Sequence, residues 1–135
     1  MKAYKINLEN YAQESANLHV LNNDKTTPKS VRQFFIEAKK DCIRGDHAHI
    51  NCWQIITPIL GDIEITSKYG TEERIFSLIA FKSSLVVPPM NWISLKFTKG
   101  SIVCVSASEN FDELDYLRHY DTYLENFYKS PLVNK

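Results

Sequence analysis

Short runs of β-branched and aromatic residues recur along the first four-fifths of the chain, and turn-forming residues separate them. The runs are Ala3–Ile6, Leu18–Leu21, Val31–Ile36, Cys52–Ile59, Ile63–Thr66, Arg74–Leu78, Leu85–Val87, Trp92–Phe97 and Ser101–Val105. Turn signals stand at Asn22-Asn23-Asp24, Gly45, Gly61-Asp62, Tyr69-Gly70 and Lys99-Gly100, at the spacing of an antiparallel sandwich or barrel. Gly61-Asp62 lies between the apolar run Ile55–Leu60 and the alternating Ile63–Thr66, which predicts a hairpin, and Gly70 is expected to close the next one.

The period changes after Ser106. Phe111, Leu114, Leu117, Tyr120, Leu124 and Phe127 recur in steps of three or four, predicting one amphipathic helix from Phe111 to Phe127. Asn110 and Glu113 form a plausible cap pair, and Asp112 and Glu113 suit the positive helix end. The tail Lys129–Lys135 is expected to fray. The predicted class is an all-β body with a C-terminal helix.

Composition narrows this picture. The 135 residues carry 16 Lys+Arg against 16 Asp+Glu and are 44% hydrophobic, which fits one domain over residues 1–135 with a real core. Balanced charge and short basic clusters such as Lys39-Lys40 give no footprint for nucleic acid, so any phosphate recognition must be local. No apolar run approaches a membrane span, and the opening MKAYKINLEN lacks a signal-type core, so no membrane association and a cytoplasmic location are expected. Cys42, Cys52 and Cys104 form no C-x-x-C pair and are expected as free thiols in a reducing compartment.

The candidate chemistry lies in Arg44-Gly45-Asp46-His47-Ala48-His49. On a strand, alternate side chains share a face, so His47 and His49 project together into any barrel interior. Paired imidazoles can take and return protons near neutral pH, or ligate a metal. A metal centre needs further ligands. Ile50–Ile56 offers no carboxylate and Pro88–Ser94 no histidine, so no metal and no cofactor are expected.

Five ordered blocks extend the signal: Arg44-Gly45-x-His47-Ala48-His49; Trp53-Gln54-Ile55-Ile56; Gly61-Asp62-Ile63-Glu64-Ile65-Thr66; Val87-Pro88-Pro89-Met90-x-Trp92; and Ala107 through Tyr120. Together they resemble the nucleotide-sugar 3,4-ketoisomerases, small cupin proteins of deoxysugar biosynthesis related in fold to the sugar-nucleotide 3,5-epimerases. The resemblance runs from about Val31 to Leu124. It implies an RmlC-like jelly-roll barrel, a homodimer, and metal-free conversion of a dTDP-linked 4-keto-6-deoxyhexose to its 3-keto isomer through an enediol. By position it places the catalytic base on His47, with His49 beside it. Arg44, and next Arg32, are the cations expected to meet the diphosphate, because a guanidinium offers two parallel donors to phosphate oxygens. Gln54 and Trp92 are further candidate substrate contacts, although Trp53, Trp92, Phe34 and Phe35 all suit a core. Asp112, Glu113, Asp115 and Arg118 are expected as structural or dimer-forming helix residues, with Asp115 and Arg118 an i,i+3 pair.

Some positions depart from the family pattern. The N-terminal segment reads Glu14-Ser15-Ala16, Ile50 follows the histidines where Lys is common, Ile93-Ser94 follows Trp92, and Phe34-Phe35 stand where tyrosines are usual. Polar groups near the sugar are thereby lost while the histidines remain. This keeps open an alternative: a nucleotide-sugar-binding or assembly protein that has kept the fold without catalysis.

Overall fold

The computed structural model describes residues 1–131 and 133. Its strands are β1 (Tyr4–Asn7), β2 (Glu9–Ala12), β3 (Asn17–Val20), β4 (Arg32–Glu37), β5 (Cys42–His49), β6 (Gln54–Leu60), β7 (Ile63–Tyr69), β8 (Glu72–Leu78), β9 (Ser83–Val87), β10 (Trp92–Phe97), β11 (Ile102–Ala107) and β12 (Tyr116–Leu117), followed by α1 (Tyr120–Lys129). They form two five-stranded antiparallel sheets, ordered β1-β9-β6-β11-β4 and β12-β5-β10-β7-β8, with β2-β3 as a separate pair. From β4 to β12 the chain repeatedly crosses from one sheet to the other, the jelly-roll barrel expected of an RmlC-like cupin. No helix among the described residues is long and apolar enough to cross a membrane.

Alternation along the strands builds the interior. Ile56, Leu85, Val103 and Val105 of the first sheet share one buried cluster with Ile63, Ile65, Leu78, Ile93, Leu95 and Phe97 of the second. The opposite face of the second sheet is also covered, because Ala48, Trp92 and Leu117 pack with Tyr123 and Phe127 of α1. Tyr123 is fully buried; its hydroxyl accepts from Gly70 N–H at 2.8 Å and lies 2.9 Å from the Lys68 carbonyl. The helix thus locks the sheet from outside while histidines on β5 face inward.

Several expectations are corrected. Gly70 does close the β7–β8 hairpin, where Tyr69 faces Glu72. Gly61-Asp62 is not a hairpin turn: β6 and β7 belong to different sheets, so Gly61, at φ 76°, turns a corner between them. The helix expected from Phe111 begins only at Tyr120. Residues 113–115 form one 3₁₀ turn capped by Asp112, whose side chain accepts from Leu114 N–H, and Tyr116–Leu117 then pair with β5. The apolar period misled here because Leu114 is 86% exposed and shares no face with Leu117. Asn110 and Glu113 form no cap, and Asp115 does not pair with Arg118. Phe35, at 64% exposure, lies outside the core. All three cysteines are free thiols. Of the tail, Lys129 ends α1 and Val133 packs beneath it; Leu132, Asn134 and Lys135 lie outside the described residues.

Candidate active site

The site begins with an irregularity in β5. Gly45 and Asp46 both adopt positive φ, 96° and 54°, and the register with β10 shifts at that point. A Cβ at Gly45 would stand 2.9 Å from the Ile93 carbonyl oxygen, so only glycine fits without displacement. Asp46 tolerates the left-handed region, and its carboxylate accepts a short hydrogen bond from the Ser94 hydroxyl across the bulge. Beyond it the strand resumes regular alternation. His47 and His49 therefore turn to one face, their rings edge to face with centroids 5.0 Å apart.

The segment after β11 supplies the second wall. Tyr116, paired opposite His49 in the β5–β12 ladder, packs against both imidazoles with ring centroids at 5.1 and 4.3 Å. Arg118 lies over the Tyr116 ring at 4.2 Å and donates two hydrogen bonds to Glu113, at 2.7 and 2.9 Å. One residue before Tyr116, Asp115 is buried. Its carboxylate meets His49 Nδ1 at 3.0 Å and accepts from the backbone N–H groups of Asn51 and Cys52 at 2.7 and 3.2 Å.

Burial sets the charge states. It pushes the His47 imidazole below its ordinary value, and His49 is driven from 6.5 to about 4 by burial first and by the neighbouring His47 second, against the pull of Asp115. Both rings are neutral at pH 7. The unfolded chain would take up protons near pH 6.5 that the folded histidines refuse, so this contribution to stability is complete above 6.5 and is lost as pH falls toward 4. Melting temperatures are expected to fall between about pH 7 and about pH 4.5, less steeply in a His49→Gln variant. An unchanged slope in that variant would remove His49 as the cause.

A cavity of about 240 Å³ opens on this group, lined by Phe34, Arg44, His47, Gln54, Tyr116 and Arg118 among others. Its size suits a sugar ring with part of what the sugar carries. A wider cleft of about 790 Å³ lies on the other side of Asp115, between Trp53, Ser108 and Asp112, but neither histidine nor arginine lines it. The expected residues His47, Arg44 and Gln54 thus come together, His49 lies directly behind His47, and Arg32 points inward from β4 over the Phe34 ring. Trp92 does not join them. It packs against Tyr120 and Tyr123 under α1. Asp115, Tyr116 and Arg118 were visible in the sequence only as part of the block Ala107–Tyr120, where the helical period concealed their roles.

One grouping resembles a metal site: ligand-type atoms of His49, Cys52 and Asp115 lie within 4.8 Å of one another. Each already has a partner. Three donors converge on the Asp115 carboxylate, and the Cys52 thiol, kept protonated by burial, donates to the Trp53 carbonyl. The cluster holds protons in place, and the donor set fits that use.

A two-sheet jelly roll with two neutral imidazoles turned inward and arginines lining the cavity defines a cupin-type protein equipped for proton transfer on a small anionic substrate. Within that class the chain belongs to the family described as FdtA: WxcM-like, C-terminal, whose model matches residues 1–128. It is 26% identical over 121 residues, 87% of each chain, to the TDP-4-oxo-6-deoxy-α-D-glucose-3,4-oxoisomerase of Aneurinibacillus thermoaerophilus. A crystal structure of a histidine-to-asparagine variant of the 3,4-ketoisomerase QdtA from Thermoanaerobacterium thermosaccharolyticum, with TDP-4-keto-6-deoxyglucose bound, superimposes with a TM-score of 0.86 at 29% identity, covering 97% of both chains. The rmlC epimerase of Mycobacterium tuberculosis shares the fold alone, with a TM-score of 0.75 at 10% identity over 84% of this chain and 66% of its own.

Proposed function

We propose that this protein catalyses 3,4-ketoisomerisation of a TDP-linked 4-keto-6-deoxyhexose, with His47 as the base. The single observation that carries the reading is that, among the described residues, three buried side-chain polar atoms have no hydrogen-bond partner: Arg32 Nε, His47 Nε2 and His49 Nε2. Leaving such atoms unpaired costs about 1–3 kcal/mol each, so a cluster of them at one place in a barrel is the mark of a polar ligand. A keto sugar offers a carbonyl and vicinal hydroxyls as partners for such groups.

The chemistry balances within the substrate. His47 Nε2 takes the proton from C3, which the adjacent carbonyl acidifies, and electrons move through a C3–C4 enediol. The same nitrogen then returns the proton to C4. Meanwhile the hydroxyl proton on O3 must reach O4, and the lone pair on His49 Nε2 is placed to accept and pass it. C3 is oxidised as C4 is reduced, so the balance calls for no external oxidant or reductant. Neutral imidazoles suit both transfers. Arg44 and Arg118, which line the cavity, are the side chains assigned to the diphosphate, with Arg32, whose Nε is buried and unpartnered over the Phe34 ring, as a further cation.

Incubation with TDP-4-keto-6-deoxyglucose in deuterium oxide, followed by NMR, is expected to yield the 3-keto isomer with solvent deuterium entering the ring. Binding of TDP with neither isomer nor exchange would favour a binding protein of the same fold. A homodimer is part of this proposal: β4 is a sheet edge bearing the exposed Phe35, and β2–β3 forms a two-stranded sheet of its own, which is marginal in water without further cover. Light scattering giving a monomer mass would reject it. The free thiols suit a reducing cytoplasm.

A further inference from the structure

The carboxylate of Asp115 lies 8% exposed beneath the histidine pair, and its three contacts all come from the donor side. Oδ1 accepts from Asn51 N–H, while Oδ2 accepts from Cys52 N–H and faces His49 Nδ1 at 3.0 Å. Two backbone donors leave this carboxylate an acceptor only. The ring nitrogen facing it must then carry the hydrogen. In a neutral imidazole, a hydrogen on Nδ1 leaves Nε2 with a bare lone pair, and the ring geometry turns that lone pair away from Asp115. The same Nε2 is buried without a partner. A bare, buried acceptor beside His47 can take a hydroxyl hydrogen from a substrate, whereas a protonated Nε2 could not.

We propose that Asp115 is a positioning residue that fixes His49 in the Nδ1–H tautomer and so makes His49 Nε2 the acceptor for a substrate hydroxyl proton. The inference rests on the ketoisomerase reading for the identity of that hydroxyl, but the tautomer itself is independent of it. Asp115 is anchored by the backbone at Asn51 and Cys52, and its own carbonyl accepts from Ile50 N–H at 2.9 Å, so three consecutive residues after β5 fix its place. Tyr116, the next residue, closes the other side of the His49 ring at 4.3 Å. The imidazole is thereby held in position and orientation, and the carboxylate stabilises the charge that appears when Nε2 accepts a proton.

Asp115→Asn tests this. An amide in that place presents an NH2 where the carboxylate presents Oδ2, so His49 is expected to reverse: Nδ1 becomes the acceptor and Nε2 gains the hydrogen. Nitrogen-15 NMR of the histidine rings should show Nδ1 protonated and Nε2 bare in the unaltered protein, and the reverse in the variant. Isomerase kcat is expected to fall roughly 10²-fold or more, with KM and TDP affinity within about twofold, because the phosphate contacts are untouched. A variant that keeps its kcat, or one whose apparent kcat falls only in proportion to the folded fraction measured by circular dichroism, would overturn the assignment. Should Asp115→Asn fail to fold, the NMR of the unaltered protein still decides: His49 found with Nε2 protonated sinks the proposal. An unaltered protein with no isomerase activity but a bare His49 Nε2 would overturn the assigned reaction, not the tautomer.

Discussion

Replacing His47 by asparagine is expected to lower kcat by roughly 10²–10⁴-fold, the range that a positioned general base contributes. Asparagine keeps a polar group of similar reach on β5 but has no lone pair basic enough to take a proton from carbon. Affinity for TDP should change little, since Arg44 and Arg118 are left in place in the cavity lining. Kinetics with TDP-4-keto-6-deoxyglucose together with calorimetric titration of TDP separate the two quantities. Normal turnover in this variant would transfer the base to His49. The acid limb of the unaltered enzyme's rate profile belongs to the same argument, because a base whose ring is held below the ordinary 6.5 by burial loses activity only as pH falls beneath that value.

The second large effect is expected two residues upstream. Gly45→Ala places a methyl group 2.9 Å from the Ile93 carbonyl oxygen at a backbone φ of +96°, so either the bulge opens or β10 gives way. The strain costs roughly 1–3 kcal/mol, visible as a melting temperature lowered by several degrees. The functional consequence should exceed the structural one. His47 takes its direction from this bulge, and a displacement of about 1 Å in a reacting group can cost on the order of 10²-fold in rate. A Gly45→Ala protein with unchanged melting and unchanged kcat would show that the bulge does not aim the base.

What could be read from the chain beforehand divides along physical lines. The run Ile63–Thr66, which the strand Ile63–Tyr69 extends, and Trp92–Phe97 were legible because their alternation is driven by burial on the barrel interior. Strand β2 was not: Glu9-Asn10-Tyr11-Ala12 is exposed throughout and is held by backbone pairing to β3, which no side-chain pattern records. Gly61 showed that a positive-φ residue marks a change of direction without saying whether the next strand stays in the sheet. At the site, His47 and His49 were legible because a period of two is local. Asp115 and Tyr116 were not, since they reach β5 across 66 residues and are held there by backbone hydrogens that sequence does not display. The spacing of Leu114, Leu117 and Tyr120 imitated a helix, and the strand pairing that replaced it is a tertiary choice.

That long reach bears on how the molecule comes into being. Strand β5, with both histidines, leaves the ribosome well before the segment that completes its pocket, and the wall formed by Glu113 to Arg118 can dock only when most of the chain has been made. The β5–β12 ladder spans a stretch of chain comparable to that between β4 and β11, so both pairings await the last third of the sequence. Proton-transfer competence is therefore among the last properties the protein acquires during synthesis. A chain interrupted after β11 would retain the histidines but lack the carboxylate, the tyrosine and the arginine that enclose them.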